Sequence, residues 1–518
     1  MSKFTNKLRS ALSSRSLTSG TVTALVIAVL VVLNVLIYTL TSVLGLYLYS
    51  PLSYDFSLSG ATDELFRRAE DEGREVEITF CMAESELEVH SRGAFVLKTA
   101  RNYAEKYDFV KLSFVNVLTS MDKDGNIVDL TKYKTDMRGG EMPITPASVI
   151  FSSGEGDMEN YRVITDTYST DGFADFYAID ESGYAYSYYG EEIIGSMIAW
   201  VLTPEHRVAY MTSNHGETVD SVFANQLASA GYYVDVINLR KEEVPEDAGL
   251  VIISNPTSDF ERSRKDSTVR ARAELDRLAT YLESGNGGEG GCLYVAIDPY
   301  ADELPALEEF LASRGITVSG EKGKYGYSRD VVVDAGGGVT LDNLSFVANI
   351  ADGKMARAMA ERFAPYTSSS VLMSEASRLI VDPTLGAEAL LVSSENSVAM
   401  RGESRVDSDG TYAVAAYSER AEEGGARSRV FVVSSVLLTN ADVLIANGYS
   451  NKEFIYSLLE VAFDGEVGIY GTRRIVFDTT IVEGLTQKTA GIYTAILIAI
   501  PVLLAAVGAV VCIRRRNR

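Results

Sequence analysis

The sequence predicts an α/β fold whose larger part is a mostly parallel sheet. Three observations carry this: β-prone apolar runs, amphipathic helical stretches, and the alternation of strands with helices across residues 207–300. The first run, RVAYMTS, ends in the polar turn Asn214-His215-Gly216-Glu217. Val219, Val222, Phe223, Leu227 and Ala230 then recur at spacings of three and four, which predicts a helix, and Gly231 falls where a left-handed C-terminal cap is expected. YYVDVINL and GLVIISNP read as the next two strands. Ala271, Leu275, Leu278 and Leu282 mark one face of a second helix. After the Gly-rich turn 285–291, GCLYVAID reads as a fourth strand. Strands separated by helices need crossover connections, hence parallel pairing with both faces covered.

The flanking segments extend the pattern. Residues 61–72 read as a charged helix, VEITFCM as a strand, Val96, Ala100, Tyr103 and Tyr107 as one helical face, and VKLSFVNVL as another strand. That is a small thioredoxin-like β-α-β arrangement without the Cys-x-x-Cys of redox chemistry. SVIFSS and YRVITD read as short strands; Tyr177, Tyr184, Tyr186, Tyr188 and Tyr189 suit cross-strand packing in a hairpin, or else stacking on sugars or partner surfaces. A helix over 193–202 leads into the central domain. Beyond Asp298, Leu307, Phe310 and Leu311 face inward on a helix over 304–314, and ITVSG follows as a strand. VVVDA, EALLVSS and YAVAAYS read as strands of an insertion in the same sheet at about 320–426; SRVFVVSS and a helix over 453–463 close a flavodoxin-like domain. The expected order is a basic tail (1–20), a first span (21–49), an N-terminal α/β domain (55–192), the central α/β domain (193–466), a connector (467–489), a second span (490–513) and a second basic tail (514–518).

The two spans rest on hydropathy. No charged residue lies between Ser16 and Tyr54, and Val22–Tyr49 is long enough to cross ~30 Å of hydrocarbon as a helix, as is Ala490–Ile513. Lys3, Lys7, Arg9 and Arg15 precede the first and Arg514, Arg515, Arg516 and Arg518 follow the second. Positive flanks favour the cytoplasm, so the expectation is a cell-membrane protein with both termini cytoplasmic and an extracytoplasmic bulk. The chain of 518 residues carries 47 Lys plus Arg against 71 Asp plus Glu, a net charge of −24, which excludes nucleic acid as a partner because a phosphate backbone needs a basic footprint.

Parallel sheets bind ligands at the carboxyl ends of their strands, which singles out the loops 214–217, 255–259 and 298–300. His215, Glu217, Asn255 and Asp298 are therefore the candidate ligand-binding residues. An imidazole beside carboxylates can do acid–base work or hold a metal. The same residues also suit N-capping and positive φ at any strand-to-helix turn. No catalytic residue, metal site or cofactor is assigned. The sequence has no G-x-x-x-x-G-K-[ST] and no G-x-S-x-G, its three cysteines (Cys81, Cys292, Cys512) have no metal-ligand spacing, and His90, His206 and His215 are its only histidines.

Taken in order, several motifs resemble one family. YDFSLSGATDEL follows the first apolar run, and VEITF is next. Then come the His-Gly-Glu turn, the Gly231-Tyr232 pair, VPEDAGLVIISNPTSDF, the YLESG helix end, the Gly-rich turn, the strand closing on Asp298-Pro299, and a final apolar run ending in an Arg cluster. The layout resembles the GldG-like, gliding-motility-associated family of auxiliary components of ABC-type transport systems. The resemblance implies a non-catalytic subunit whose external domains couple to, or bind substrate for, a separate permease and ATP-binding subunit. It also implies a central domain shaped like class I glutamine amidotransferases but without their Cys nucleophile. Two positions depart from the family: Asn214 stands where Gly is usual, and Ser434-Ser435-Val436 replaces an acidic turn. The alternatives are a membrane-tethered hydrolase using His215, Glu217 and Asp298, or a ligand-binding or sensory ectodomain at the cell wall or outer surface.

Overall fold

The computed structural model describes residues 54–477 except 155, 166–171, 180–182, 204–205, 262–272, 325, 365–369, 445, 447 and 464–470. The N-terminal part contains α1 (Asp63–Asp71), β1 (Val76–Phe80), α2 (Gly93–Lys106), β2 (Val110–Asn116), β3 (Met121–Asp122), β4 (Val149–Ser153), β5 (Asn160–Ile164), β6 (Tyr177–Ile179), β7 (Ala185–Tyr188) and α3 (Gly190–Leu202). Its five-stranded sheet has the order β3-β2-β1-β4-β5. The crossover through α2 makes β1 and β2 parallel, while β4 and β5 add antiparallel strands. Val76, Ile78 and Phe80 alternate inward and meet Val96, Ala100 and Tyr103 of α2 and Ile194 and Ile198 of α3 in one core, which therefore extends to Leu202. The tyrosine hairpin packs across its strands as expected: Tyr177 lies opposite Tyr188 with ring centroids 5.0 Å apart.

The central part opens with β8 (Val208–Thr212), α4 (Ser221–Ser229), β9 (Tyr233–Ile237), β10 (Ala248–Ser254), α5 (Glu274–Ser284), β11 (Cys292–Ala296), α6 (Pro305–Ser313) and β12 (Ile316–Val318). The segment expected as an insertion supplies β13 (Gly320–Gly323), β14 (Gly326–Arg329), β15 (Val331–Asp334), β16 (Ser345–Ile350), α7 (Lys354–Phe363), β17 (Val371–Ser374), β18 (Leu379–Val381), β19 (Ala387–Val392), β20 (Ser397–Arg401), β21 (Ser404–Arg405) and β22 (Ala413–Ala421). β23 (Arg427–Val433), α8 (Asn451–Phe463) and β24 (Ile475–Val476) follow. The main sheet runs β17-β16-β19-β22-β23-β11-β10-β8-β9. From β9 to β23 every pairing is parallel, and from β23 to β17 every pairing is antiparallel. The sheet is thus mixed rather than mostly parallel. Where the chain turns back through a short connection such as 422–426, only antiparallel pairing is possible.

Apolar side chains fill both faces. Phe223 and Leu227 of α4, Met359 and Phe363 of α7, and Phe454 and Leu458 of α8 cover one face, and Leu275, Leu278, Leu282, Leu307 and Leu311 of α5 and α6 cover the other. Each such side chain contributes about 1.5–3 kcal/mol when fully buried. The β17 edge is closed by a side chain: Asn451 accepts from Leu372 N–H at 2.9 Å and donates to Leu372 C=O at 2.7 Å, imitating a neighbouring strand.

Two adjacent buried glutamates at the start of α3 join the parts. Glu192 pairs with Lys452 and accepts from Tyr456 Oη at 3.0 Å, tying α3 to α8. Glu191 accepts from Ser59 N at 2.6 Å, Ser59 Oγ at 2.7 Å and Arg473 N at 2.6 Å, tying both ends of the described chain to one carboxylate. Arg473 also pairs with Asp55, and β24 pairs antiparallel with β7.

The expectation of a two-span cell-membrane protein with cytoplasmic termini and an extracytoplasmic bulk is corrected. Among the described residues no helix is long and apolar enough to cross a membrane. The longest, α2, has 14 residues, against the ~20 a span requires. The segments 21–49 and 490–513 lie outside the described residues.

Candidate functional site

The loops after β8, β10 and β11 lie along one edge of the sheet, as parallel pairing dictates. Asn214 and Asn255 each adopt positive φ, 90° and 56°, which lets the backbone turn sharply out of the strand. Gly216 is also left-handed, and a Cβ there would fall 2.1 Å from Thr257 Oγ1, so only glycine fits beneath the neighbouring loop. His215 C=O accepts from Thr257 N at 2.7 Å and Ser258 N at 3.1 Å, locking the first two loops together. Asp220 caps α4 by accepting from Val222 N at 2.8 Å. Replacing Asn214 by Ala should therefore destabilise by about 1–2 kcal/mol, while Asn214→Gly should be neutral or slightly stabilising, as urea unfolding would report.

The loop geometry drives His215 inward. Its ring stacks on Phe260 at 3.9 Å, and its side chain has no exposed area. Nδ1 lies 3.1 Å from Glu217 Oε1 and Nε2 lies 3.1 Å from Glu274 Oε2. Glu217 Oε2 also accepts from His215 N at 2.6 Å, and Glu274 Oε2 from Glu261 N at 2.8 Å. The exposed edge of this group is Arg240, whose Nε stands 3.4 Å from Glu274 Oε1. With a carboxylate at each ring nitrogen, both nitrogens act as donors, the pattern of an imidazolium.

Titration follows from these contacts. Burial alone would lower the His215 pKa, but the Glu217 hydrogen bond and the charges of Glu274 and Glu217 outweigh it and raise the pKa above the ordinary 6.5. Burial likewise opposes ionisation of Glu217, and its bonds from His215 prevail, holding it below the ordinary 4.5. The His215 contribution to stability is fully present below about 6.5 and is lost as pH rises through the raised folded value. The Glu217 contribution is present above about 4.5 and is lost as pH falls through the depressed folded value. Wild-type Tm should therefore fall on the alkaline side of the folded His215 pKa, and His215→Gln should remove that step from the Tm–pH curve.

Of the four predicted residues, the structure brings together His215 and Glu217. Asn255 lies on the next loop, where Nδ2 donates to Thr218 Oγ1 at 3.1 Å. Asp298 accepts from Tyr300 N at 2.8 Å and shapes the loop after β11. Glu274 is the member that reading the sequence missed. Its signal was there: Glu274, Leu278 and Leu282 share the i, i+4, i+8 stripe, and a carboxylate on a buried stripe requires a counter-charge. Among the described residues no group of three or more His, Cys, Asp or Glu is arranged to hold a metal. Burial pushes the Cys81 and Cys292 thiols up to about 12, which suits packing rather than nucleophilic attack.

No family model matches the chain, and no curated protein matches it. Among solved structures it is similar to the mmIFT52 N-terminal domain, with a TM-score of 0.35 and 13% sequence identity over 50% of this chain and 99% of that one. It is also similar to PurLQS from Thermotoga maritima, with a TM-score of 0.25 and 13% identity over 49% of this chain and 98% of that one.

Proposed function

We propose that this chain is a non-catalytic auxiliary subunit of an ABC-type transport system, acting by docking to a separate permease and ATP-binding subunit. The observation that carries the reading is the sealed His215–Glu217–Glu274 group. Both ring nitrogens of the histidine are taken up by the two carboxylates, with side-chain exposures of 0%, 3% and 1%, which supports a structural role over one that meets a substrate. A general base must come within hydrogen-bond reach of the proton it takes, and this imidazole is out of reach. The sequence has no G-x-x-x-x-G-K-[ST], which supports placing nucleotide hydrolysis on another subunit. The motif order described above supplies the transport context, and the mixed α/β architecture is compatible with it.

The test is affinity purification of the tagged full chain from its native host. Stoichiometric recovery of an ABC ATPase and a permease is expected. Recovery of the chain alone, under conditions that preserve other transporter complexes, would falsify the reading.

A further inference from the structure

A second candidate site lies beside the loop after β11, on the same strand-end edge. The loop after β11 and strands β14, β15 and β20 enclose a cavity of about 460 Å³, within the ~300–1,000 Å³ typical of ligand sites. Its wall is made by Tyr300, Tyr327, Val331, Val333, Leu344 and Met400. Tyr300 is 60% exposed, and Leu341, next to the lining residue Asp342, is fully exposed. Large apolar groups left in water beside an apolar cavity mark a surface awaiting a partner.

Charge selects the partner. The one arginine lining the cavity, Arg329, has its charge paired with Glu308 at 2.9 Å through Nη2, while its Nε and Nη1 are buried without a hydrogen-bond partner among the described residues; Arg401, beside the lining Met400, pairs with Asp330 at 2.8 Å and with Glu321. Carboxylates surround the mouth from separate loops. Asp342 lines the mouth, Asp298 adjoins the lining Pro299, Glu303 lies two residues beyond the lining Ala301, and Glu375 N donates to the C=O of the lining Leu344 at 2.9 Å. None of these four forms an ion pair among the described residues. Such a rim repels phosphate and attracts several positive charges at once.

We infer that this cavity is the docking site for a segment of a partner protein in which one large apolar side chain sits between lysines or arginines. The apolar side chain enters between Tyr300 and Met400, and the flanking cations meet the rim. The inference rests on the docking role proposed above and assigns that role a surface.

The probe is a fluorescein-labelled peptide, Gly-Lys-Arg-Phe-Lys-Arg-Gly, titrated with the purified full chain by fluorescence anisotropy. Two control peptides carry Ser for Phe, or Glu for every Lys and Arg. Binding should weaken about tenfold or more with the Ser peptide, vanish with the Glu peptide, and weaken about tenfold in each of Tyr300→Ser and Glu303→Lys. Both positions are exposed, so the variants should keep the wild-type Tm, which is measured alongside. No binding, equal binding of the Phe and Ser peptides, or binding unchanged by both variants overturns the inference. Any of these results with the ATPase and permease still co-purifying leaves the auxiliary-subunit reading standing; loss of co-purification removes that reading separately.

Discussion

Replacing His215 by alanine is expected to destabilise the central part of the protein by about 3–5 kcal/mol, the cost of leaving buried charge without its partner. Glu217 and Glu274 would then face each other across an empty space, with side-chain exposures of 3% and 1%. Arg240 reaches only one of them, at 3.4 Å from Glu274. The stacking on Phe260 is lost as well. A companion variant separates charge from packing: His215→Leu with Glu217→Gln and Glu274→Gln removes all three charges and should recover most of the loss. Urea unfolding of the two variants beside wild type measures both effects. A cost under about 1 kcal/mol for His215→Ala would mean that water or a rearranged Arg240 already compensates the carboxylates.

Glu191→Ala is the second large effect, and it is local. The substitution removes the acceptor for Ser59 N, Ser59 Oγ and Arg473 N in one step. Charge-assisted hydrogen bonds of this kind contribute about 1.5–3 kcal/mol each, but the freed donors can reach water once the ends lift away. The expected change is therefore about 2 kcal/mol in the free energy of opening the ends, or about a 30-fold rise in the open population. Limited proteolysis should cut near 54–60 and 471–477 faster by that factor while the global Tm moves little. Glu191→Gln, which keeps one acceptor oxygen, should fall between the two. Cleavage at the wild-type rate would show that the aromatic packing of Phe477 on Phe95 and Tyr54 holds the ends without the carboxylate.

How much of this was legible depended on whether a side chain or the backbone carried the information. The strands β8, β10 and β11 were plain as apolar runs because both sheet faces are buried, and Leu307, Phe310 and Leu311 showed the inward stripe of α6. Gly231, with φ of 92°, sits in the left-handed cap its position implied. Asn214, standing where the resembled family has Gly, is explained by its own positive φ. Antiparallel pairing in 345–433 was not legible, since the strand pattern is the same whichever way a neighbour runs. Neither was β24, whose two residues join β7 through backbone hydrogen bonds that no side-chain periodicity records. The burial of His215 was hidden for a third reason: Glu217 lies two residues away and is visible, but Glu274 lies across a loop.

The shared carboxylate at the two ends has a mechanical consequence. Tension applied to residues 54 and 477 enters and leaves the body at almost one point, borne by the Glu191 bonds, the short β24–β7 ladder and the burial of Phe56, Ile475 and Phe477 in the N-terminal core. A pull on the ends therefore loads the N-terminal core directly, and opening them must draw Phe56 and Phe477 out of it.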